Sequence, residues 1–114
     1  MPYIAVNTTQ KLSDAQKEKI KAELGRIMPI IPTKSEAGLM IDFSDGRTIY
    51  KAGEKVEGAF IDLRLLRKAE FEPKKKYTEE LFELLSRELG LKKENMYLTA
   101  MEFNDWGANG TFRD

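Results

Sequence analysis

The sequence predicts an α+β fold in which two βαβ units form a four-stranded mixed sheet with two helices on one face. Three observations carry this. The patterns run strand, helix, strand, and then do so again within 114 residues. Each helical segment has a single apolar stripe, so each can cover a sheet from one side only. The strands also hold more aromatic surface than two helices need cover, in Tyr3, Phe43, Phe60, Tyr97 and Phe103. The length suits one domain, residues 1–114, with one core and too little chain for two. Self-association would cover the surplus apolar sheet surface.

Taken in order, Tyr3 to Thr8 is the first strand, closed by the turn formers Asn7-Thr8-Thr9-Gln10. Pro2 stands at its start, where a missing N–H costs no ladder bond. Ser13 is a helix N-cap with Gln16 at the capping-box position and Asp14 near the positive helix end. Ile20, Leu24, Ile27 and Met28 make the apolar stripe, and Pro29 and Pro32 stop the helix. After a loop holding Lys34, Leu39-Met40-Ile41-Asp42-Phe43 is the second strand and Ser44-Asp45-Gly46 a turn. Thr48-Ile49-Tyr50 reads as a short extra strand, and Ala52-Gly53-Glu54-Lys55 as a mobile surface loop. Ala59 to Leu66 is the third main strand.

Glu72-Pro73-Lys74-Lys75-Lys76 reads as a solvated run preceding the second helix, whose stripe is Leu81, Leu84, Leu85 and Leu89. Gly90 is its C-cap glycine, and Leu91 supplies the accompanying apolar contact. Asn95 to Phe103 is the fourth strand, and the tail from Asn104 to Phe112 is loop-like but aromatic. Within each βαβ unit the two strands must be parallel, joined by a right-handed crossover.

Composition narrows the chemistry. Lys plus Arg and Asp plus Glu number 19 each, so no net field favours nucleic acid or an anionic membrane. There is no Cys and no His, which removes thiolate nucleophiles, Ser-His-Asp sites and metal centres built on those ligands. Asp42 and Asp45 hint at a calcium loop, but the twelfth position from Asp42 is Gly53 rather than the required Glu, so no metal is expected. No apolar run approaches the roughly 18 residues of a membrane span, and the beginning lacks a basic-then-apolar signal peptide. The cytoplasm is therefore the expected location, with non-classical secretion as the route to any role outside the cell.

Acid–base work in such a chain falls to carboxylates, Lys, Tyr or a terminal amine. If Met1 is trimmed, Pro2 becomes a secondary amine fixed to the first residue of a strand. A free α-amine titrates near 7.7–8.0; an apolar pocket and a neighbouring ammonium such as Lys34 would both disfavour its charged form. Pro2 is thus a candidate general base. Taken singly, such residues are more often a loop lysine (Lys34), an interface or core tyrosine (Tyr97) and a packing residue (Trp106).

Together these residues form a recognisable set. The opening Pro-Tyr-Ile-Ala-Val-Asn-Thr, the lone Lys34 before the second strand, Tyr97 in the fourth and the closing Asn109-Gly110-Thr111-Phe112 resemble the macrophage migration inhibitory factor branch of the tautomerase superfamily over nearly the whole chain. The resemblance implies a homotrimer with active sites at subunit boundaries and no cofactor. It implies keto–enol tautomerisation of an aromatic α-keto acid such as phenylpyruvate, with Pro2 as the base. It assigns substrate binding to Lys34, the backbone N–H of Leu66, Tyr97 of a neighbouring subunit, Thr99 and Phe112. Thr99 and Gly38 depart from the best-known relatives, which have Asn and Tyr there, and the tail is shorter; a wider, differently lined pocket follows. The family's thiol–disulfide element maps near Gly58 and Ile61 and is absent.

Two other functions compete. A cytokine-like signalling or binding protein of the same fold would survive substitution of Pro2. An RNA-binding module shares the β-α-β-β-α-β order, but its signature aromatic run and basic face are missing here.

Overall fold

The computed structural model describes all of residues 1–114. The main strands are β1 (Pro2–Thr8), β2 (Met40–Ser44), β5 (Ala59–Leu66) and β6 (Met96–Phe103), joined in the order β2-β1-β5-β6. β1 pairs with β2 and β5 with β6 in parallel, while β1 and β5 are antiparallel, so the sheet is mixed and has two βαβ halves. The helices α1 (Asp14–Ile27) and α2 (Phe71–Leu89) pack on one face.

The first helix begins where local chemistry puts it. Ser13 accepts from the Gln16 N–H, and the Gln16 side chain accepts from the Ser13 N–H, which completes a capping box. Its buried stripe of Ile20, Leu24 and Ile27 meets Leu81, Leu84, Leu85 and Leu89 of α2 within one core cluster of 19 residues. Each fully buried Leu or Ile contributes about 1.5–3 kcal/mol relative to exposure. Tyr77, also fully buried, donates its hydroxyl to the Leu24 carbonyl at 3.1 Å. That carbonyl belongs to the last turn of α1, where backbone acceptors run out of helical partners. Gly90 ends α2 in the left-handed conformation, and Leu91 is buried behind it.

Alternation sorts the two sheet faces. Ile4 and Val6 of β1, and Ile61, Leu63 and Leu65 of β5, point into the core. Tyr3, Phe60, Tyr97 and Phe103 lie on the opposite face, as the register of the three strands requires. Phe43 corrects one expectation. It pairs with Val6 in parallel, so it shares the helix-facing side and packs against the core. The uncovered face is also less apolar than its aromatics suggest. Tyr3 donates to Asp42 Oδ2 at 2.9 Å, Arg64 binds Asp62 Oδ2 at 3.1 Å, and the Arg64 guanidinium lies 5.5 Å from the Tyr3 ring centroid.

Three local expectations need revision. The lysines Lys74, Lys75 and Lys76 are inside α2, which begins at Phe71; Pro73 is tolerated because first-turn N–H groups have no helical acceptor to lose. Ala52 and Gly53 are a tight turn with positive φ between β3 (Ile49–Lys51) and β4 (Glu54–Val56), a hairpin rather than a loose loop. The tail is a second hairpin, β7 (Trp106–Ala108) and β8 (Thr111–Arg113), turned at Asn109-Gly110 with both φ positive. Asp45, considered as a calcium ligand, accepts the Leu12 N–H at 2.7 Å and ties the turn after β2 to the approach to α1. No helix is long and apolar enough to cross a membrane.

Candidate active site

The start of β1, the end of β5 and the carboxyl-terminal hairpin enclose an open cleft of about 830 Å³. Its walls include Met1, Pro2, Gly38, Phe103, Trp106 and Phe112. Trp106 meets Phe103 edge to face with ring centroids 6.1 Å apart, which stiffens the aromatic wall. A Cβ added at Gly38 would lie 3.7 Å from Met1 Cα and 3.8 Å from Pro2 Cδ. Any larger residue there would form a wall beside Pro2, and glycine keeps that approach wide. The other sizeable depression runs along the outer surface of α2 among Glu72, Lys75, Lys76, Glu79, Glu80 and Glu83 and brings no reactive grouping together.

Pro2 is buried at the first position of β1, opposite Leu65. The preceding Met1 carbonyl accepts the Leu66 N–H at 3.2 Å, and the Leu66 carbonyl accepts from Lys34 Nζ at 2.6 Å. Leu66 therefore joins the amino terminus to Lys34 through its two backbone groups. The N–H expected to meet substrate is engaged by Met1 itself and is free for a ligand only where Met1 is absent. Lys34 is held by its own backbone as well. Its N–H donates to Ile31 O at 3.1 Å, and Thr33 before it has φ of 70°, a left-handed conformation that is strained for a β-branched residue.

Electrostatics favour a neutral amine at the chain terminus. The terminal amine titrates below its ordinary value, through burial first and then the positive charges of Lys34, Arg113 and Arg67. Those neighbours act on the amine of Met1; after trimming they would surround the Pro2 nitrogen one residue further in. Lys34 is itself lowered, by burial and then by Arg67. On the cleft wall, Tyr3 is raised by its hydrogen bond to Asp42.

The expected binding residues divide into two groups. Pro2, Lys34, Leu66 and Phe112 converge on this end of the molecule. Tyr97 and Thr99 do not. Tyr97 pairs with Phe60, five residues along β5 from Leu65; at about 3.3 Å per residue, that is roughly 16 Å from the level of Pro2. Thr99 pairs with Asp62, roughly 10 Å along the same strand. Tyr97 lies instead under the Lys51 ammonium, 5.5 Å from its ring centroid.

Sequence reasoning also missed residues. Arg67 follows Leu66 directly, Arg113 pairs with Trp106, and Arg64 and Tyr3 line the cleft. The alternation of β5, which puts Arg64 on the same face as Phe60, was the one available signal. No group of His, Cys, Asp and Glu side chains is arranged to hold a metal.

This architecture, with its cleft at the start of β1, is the fold shared by MIF and 4-OT structures. Among solved structures, the chain is similar to MIF2 of Leishmania major, at TM-score 0.92 and 23% identity over 98% of this chain and 97% of that one. It is also similar to Pt0534 inactivated by 2-oxo-3-pentynoate, at TM-score 0.82 and 14% identity over 96% and 94% of the two chains. A fused 4-OT described as an asymmetric trimer matches at TM-score 0.81 and 16% identity, over 96% of this chain and 94% of that one. No protein-family model and no curated protein matches the sequence.

Proposed function

We propose that the chain is a cofactor-independent keto–enol tautomerase that acts on an aromatic α-keto acid such as phenylpyruvate, with the Pro2 amine as general base once Met1 is removed. The observation that carries this reading is the linkage at Leu66. One peptide unit on each side of that residue ties Lys34 and the amino terminus to the same few ångströms of backbone. A carboxylate held by Lys34 and the Leu66 N–H would place the adjacent carbonyl and its α-carbon against the Pro2 nitrogen.

The chemistry balances without a cofactor. Neutral Pro2 takes the proton from the carbon next to the ketone, and the C–H electron pair becomes the enolate double bond. Charge collects on oxygen, where the positive surroundings stabilise it. The protonated amine then delivers its proton to that oxygen; ketonisation is the reverse. Positioned base catalysis of this kind contributes on the order of 10²–10⁴-fold. Phe112, Trp106 and Phe103 form an aromatic wall for the substrate ring. A 2-oxo acid inactivates a neighbour of the same fold, Pt0534, which supports this substrate class.

The reading includes a homotrimer. Met40, Phe60, Tyr97 and Met101 are exposed on the sheet face away from the helices, and Asp62 Oδ1 is buried there without a hydrogen-bond partner. Neighbouring copies would cover the apolar residues and complete Asp62, and would carry Tyr97 and Thr99 to another subunit's cleft. A fused 4-OT of this fold forms a trimer. Two measurements test the proposal. Pro2→Gly should abolish phenylpyruvate ketonisation while light scattering still gives three times the 13.1 kDa chain mass. Full activity in that variant would refute the base, and a monomer for the unaltered chain would refute the assembly.

A further inference from the structure

The backbone at Gly38 does not call for glycine. Its φ lies outside the left-handed region that Gly46, Gly53, Gly90 and Gly110 occupy. Packing does not call for glycine there either. An added Cβ would meet two atoms within 4 Å beyond the neighbouring residues, Met1 Cα at 3.7 Å and Pro2 Cδ at 3.8 Å, both at ordinary van der Waals distance. Gly25 and Gly58 differ, because a Cβ at either would run into Glu36 or the Asn95 carbonyl. Gly38 lines the cleft, so the volume its missing side chain leaves is open to a ligand.

That volume has a fixed place. Gly38 closes a short 3-10 turn, Glu36–Gly38, in which its N–H donates to the Ser35 carbonyl at 3.4 Å and the Leu39 N–H donates to the Glu36 carbonyl at 3.0 Å. Leu39 then packs against the core, and Met40 pairs with Tyr3 as β2 joins β1. The strand pairing that follows the turn therefore holds it beside Pro2. Pro2 Cδ is bonded to the Pro2 nitrogen, roughly 1.5 Å away, so the space at Gly38 lies against the ring that carries the base. A carbon that gives its proton to that nitrogen must come within about 3–3.5 Å of it. A substituent on the same carbon, one bond further out, falls in the range of the Gly38 slot. Loss of Met1 removes one of the slot's two contacts and widens it.

We infer that Gly38 makes room for a substituent on the reacting carbon, so that the cleft takes α-keto acids branched next to the ketone as well as unbranched ones such as phenylpyruvate. This rests on the tautomerase reading above and extends its substrate class. The branched carbon carries a single hydrogen. Pro2 takes it as a proton, the amine exchanges that proton with solvent, and in D2O a deuteron returns to the same carbon with no other bond changed.

The test compares two isomeric acids, 2-oxo-3-phenylbutanoate, which is branched at that carbon, and 2-oxo-4-phenylbutanoate, which is not. They share composition and charge, so neither explains a difference between them. Exchange of the hydrogen for deuterium is followed by NMR in D2O with the Met1-trimmed protein and its Gly38→Ala variant. Alanine suits the observed backbone and contacts at residue 38, so the variant should fold; a melting curve checks it. Both acids should exchange with the unaltered residue 38. The variant should lower the ratio of the branched to the linear rate by about tenfold or more, since one methylene's worth of room in an apolar site discriminates by roughly 10–200-fold. Exchange of the linear acid alone, or an unchanged ratio in the variant, overturns the slot and leaves the tautomerase reading standing. Calorimetric binding of the same two acids reads the slot without turnover. A protein that exchanges neither acid, yet loses binding of the branched one through Gly38→Ala, would keep the slot and lose the tautomerase reading; binding of both acids altered equally, or not at all, would overturn the slot itself.

Discussion

Replacing Lys34 with Met removes the ammonium while keeping an unbranched apolar stem in a partly buried place. If Lys34 receives the substrate carboxylate, the lost charge-assisted hydrogen bond is worth about 1.5–3 kcal/mol, and a factor of ten per 1.4 kcal/mol gives a rise in KM of roughly 10–150-fold. A second effect follows from the amine. Lys34 is one of the charges that lower the Met1 amine; beside the trimmed Pro2 amine it would act in the same direction, so its removal should raise that amine's pKa. The base works only when neutral, so the acid limb of kcat/KM must move to higher pH. The Leu66 carbonyl also loses its donor, and Lys34→Gln, which can still donate, separates that structural loss from the loss of charge. Steady-state phenylpyruvate kinetics from pH 5 to 9, with a thermal melt of each variant, make the measurement. An unchanged KM, or an acid limb that moves to lower pH, would refute the assignment of Lys34.

Other consequences lie in the scaffold. Tyr77→Phe should leave the Leu24 carbonyl unsatisfied in the core and cost about 1–3 kcal/mol, read as a lower denaturant midpoint with unchanged slope. Thr33→Gly should stabilise the fold slightly, because relief of a left-handed threonine is worth roughly 1–2 kcal/mol against roughly 0.4–1 kcal/mol for the freer unfolded chain; KM should rise as Lys34 loses its anchor. Glu102, held below the usual carboxylate range by the Ala69 N–H and by Lys74, contributes stability that is present above the unfolded-state pKa and lost as pH falls through the lower folded-state value. Glu102→Gln should therefore flatten the acid limb of a melting-temperature profile, and an unaltered limb would place that dependence elsewhere.

Much of the fold was legible because its signals are local. Ser13 with Gln16 marks the start of α1, Gly90 marks the end of α2, and the run from Ala59 to Leu66 alternates cleanly enough to give β5 its observed bounds. The two hairpins were hidden by size. Strands of three residues such as Trp106–Ala108 and Thr111–Arg113 cannot show a period, although Asn109-Gly110 between them is a strong turn signal. Phe43, counted within the surplus aromatic surface, belongs to the helix side; Asp42 beside it marks the outer face, and the pairing with Val6 decides the matter. Pro2 and Lys34 could be named as candidates from chemistry and resemblance. The chain Asp42–Tyr3–Arg64–Asp62 could not, since it crosses three strands and depends on their registers. Arg67 gave no signal in the sequence, because its left-handed backbone is visible only in the structure.

The central claim is that the amino group of Pro2 performs the chemistry and that Met1 blocks it. The most direct measurement is ketonisation of phenylpyruvate by two preparations of the same chain, one retaining Met1 and one trimmed to Pro2, each identified by intact mass. The trimmed chain should be active at neutral pH, and the Met1-bearing chain should fall to the uncatalysed rate while giving the same melting temperature within a few degrees. Equal activity in the two would contradict the account, because in the longer chain the Pro2 nitrogen is an amide with no basic lone pair and the Leu66 N–H is already engaged by the Met1 carbonyl.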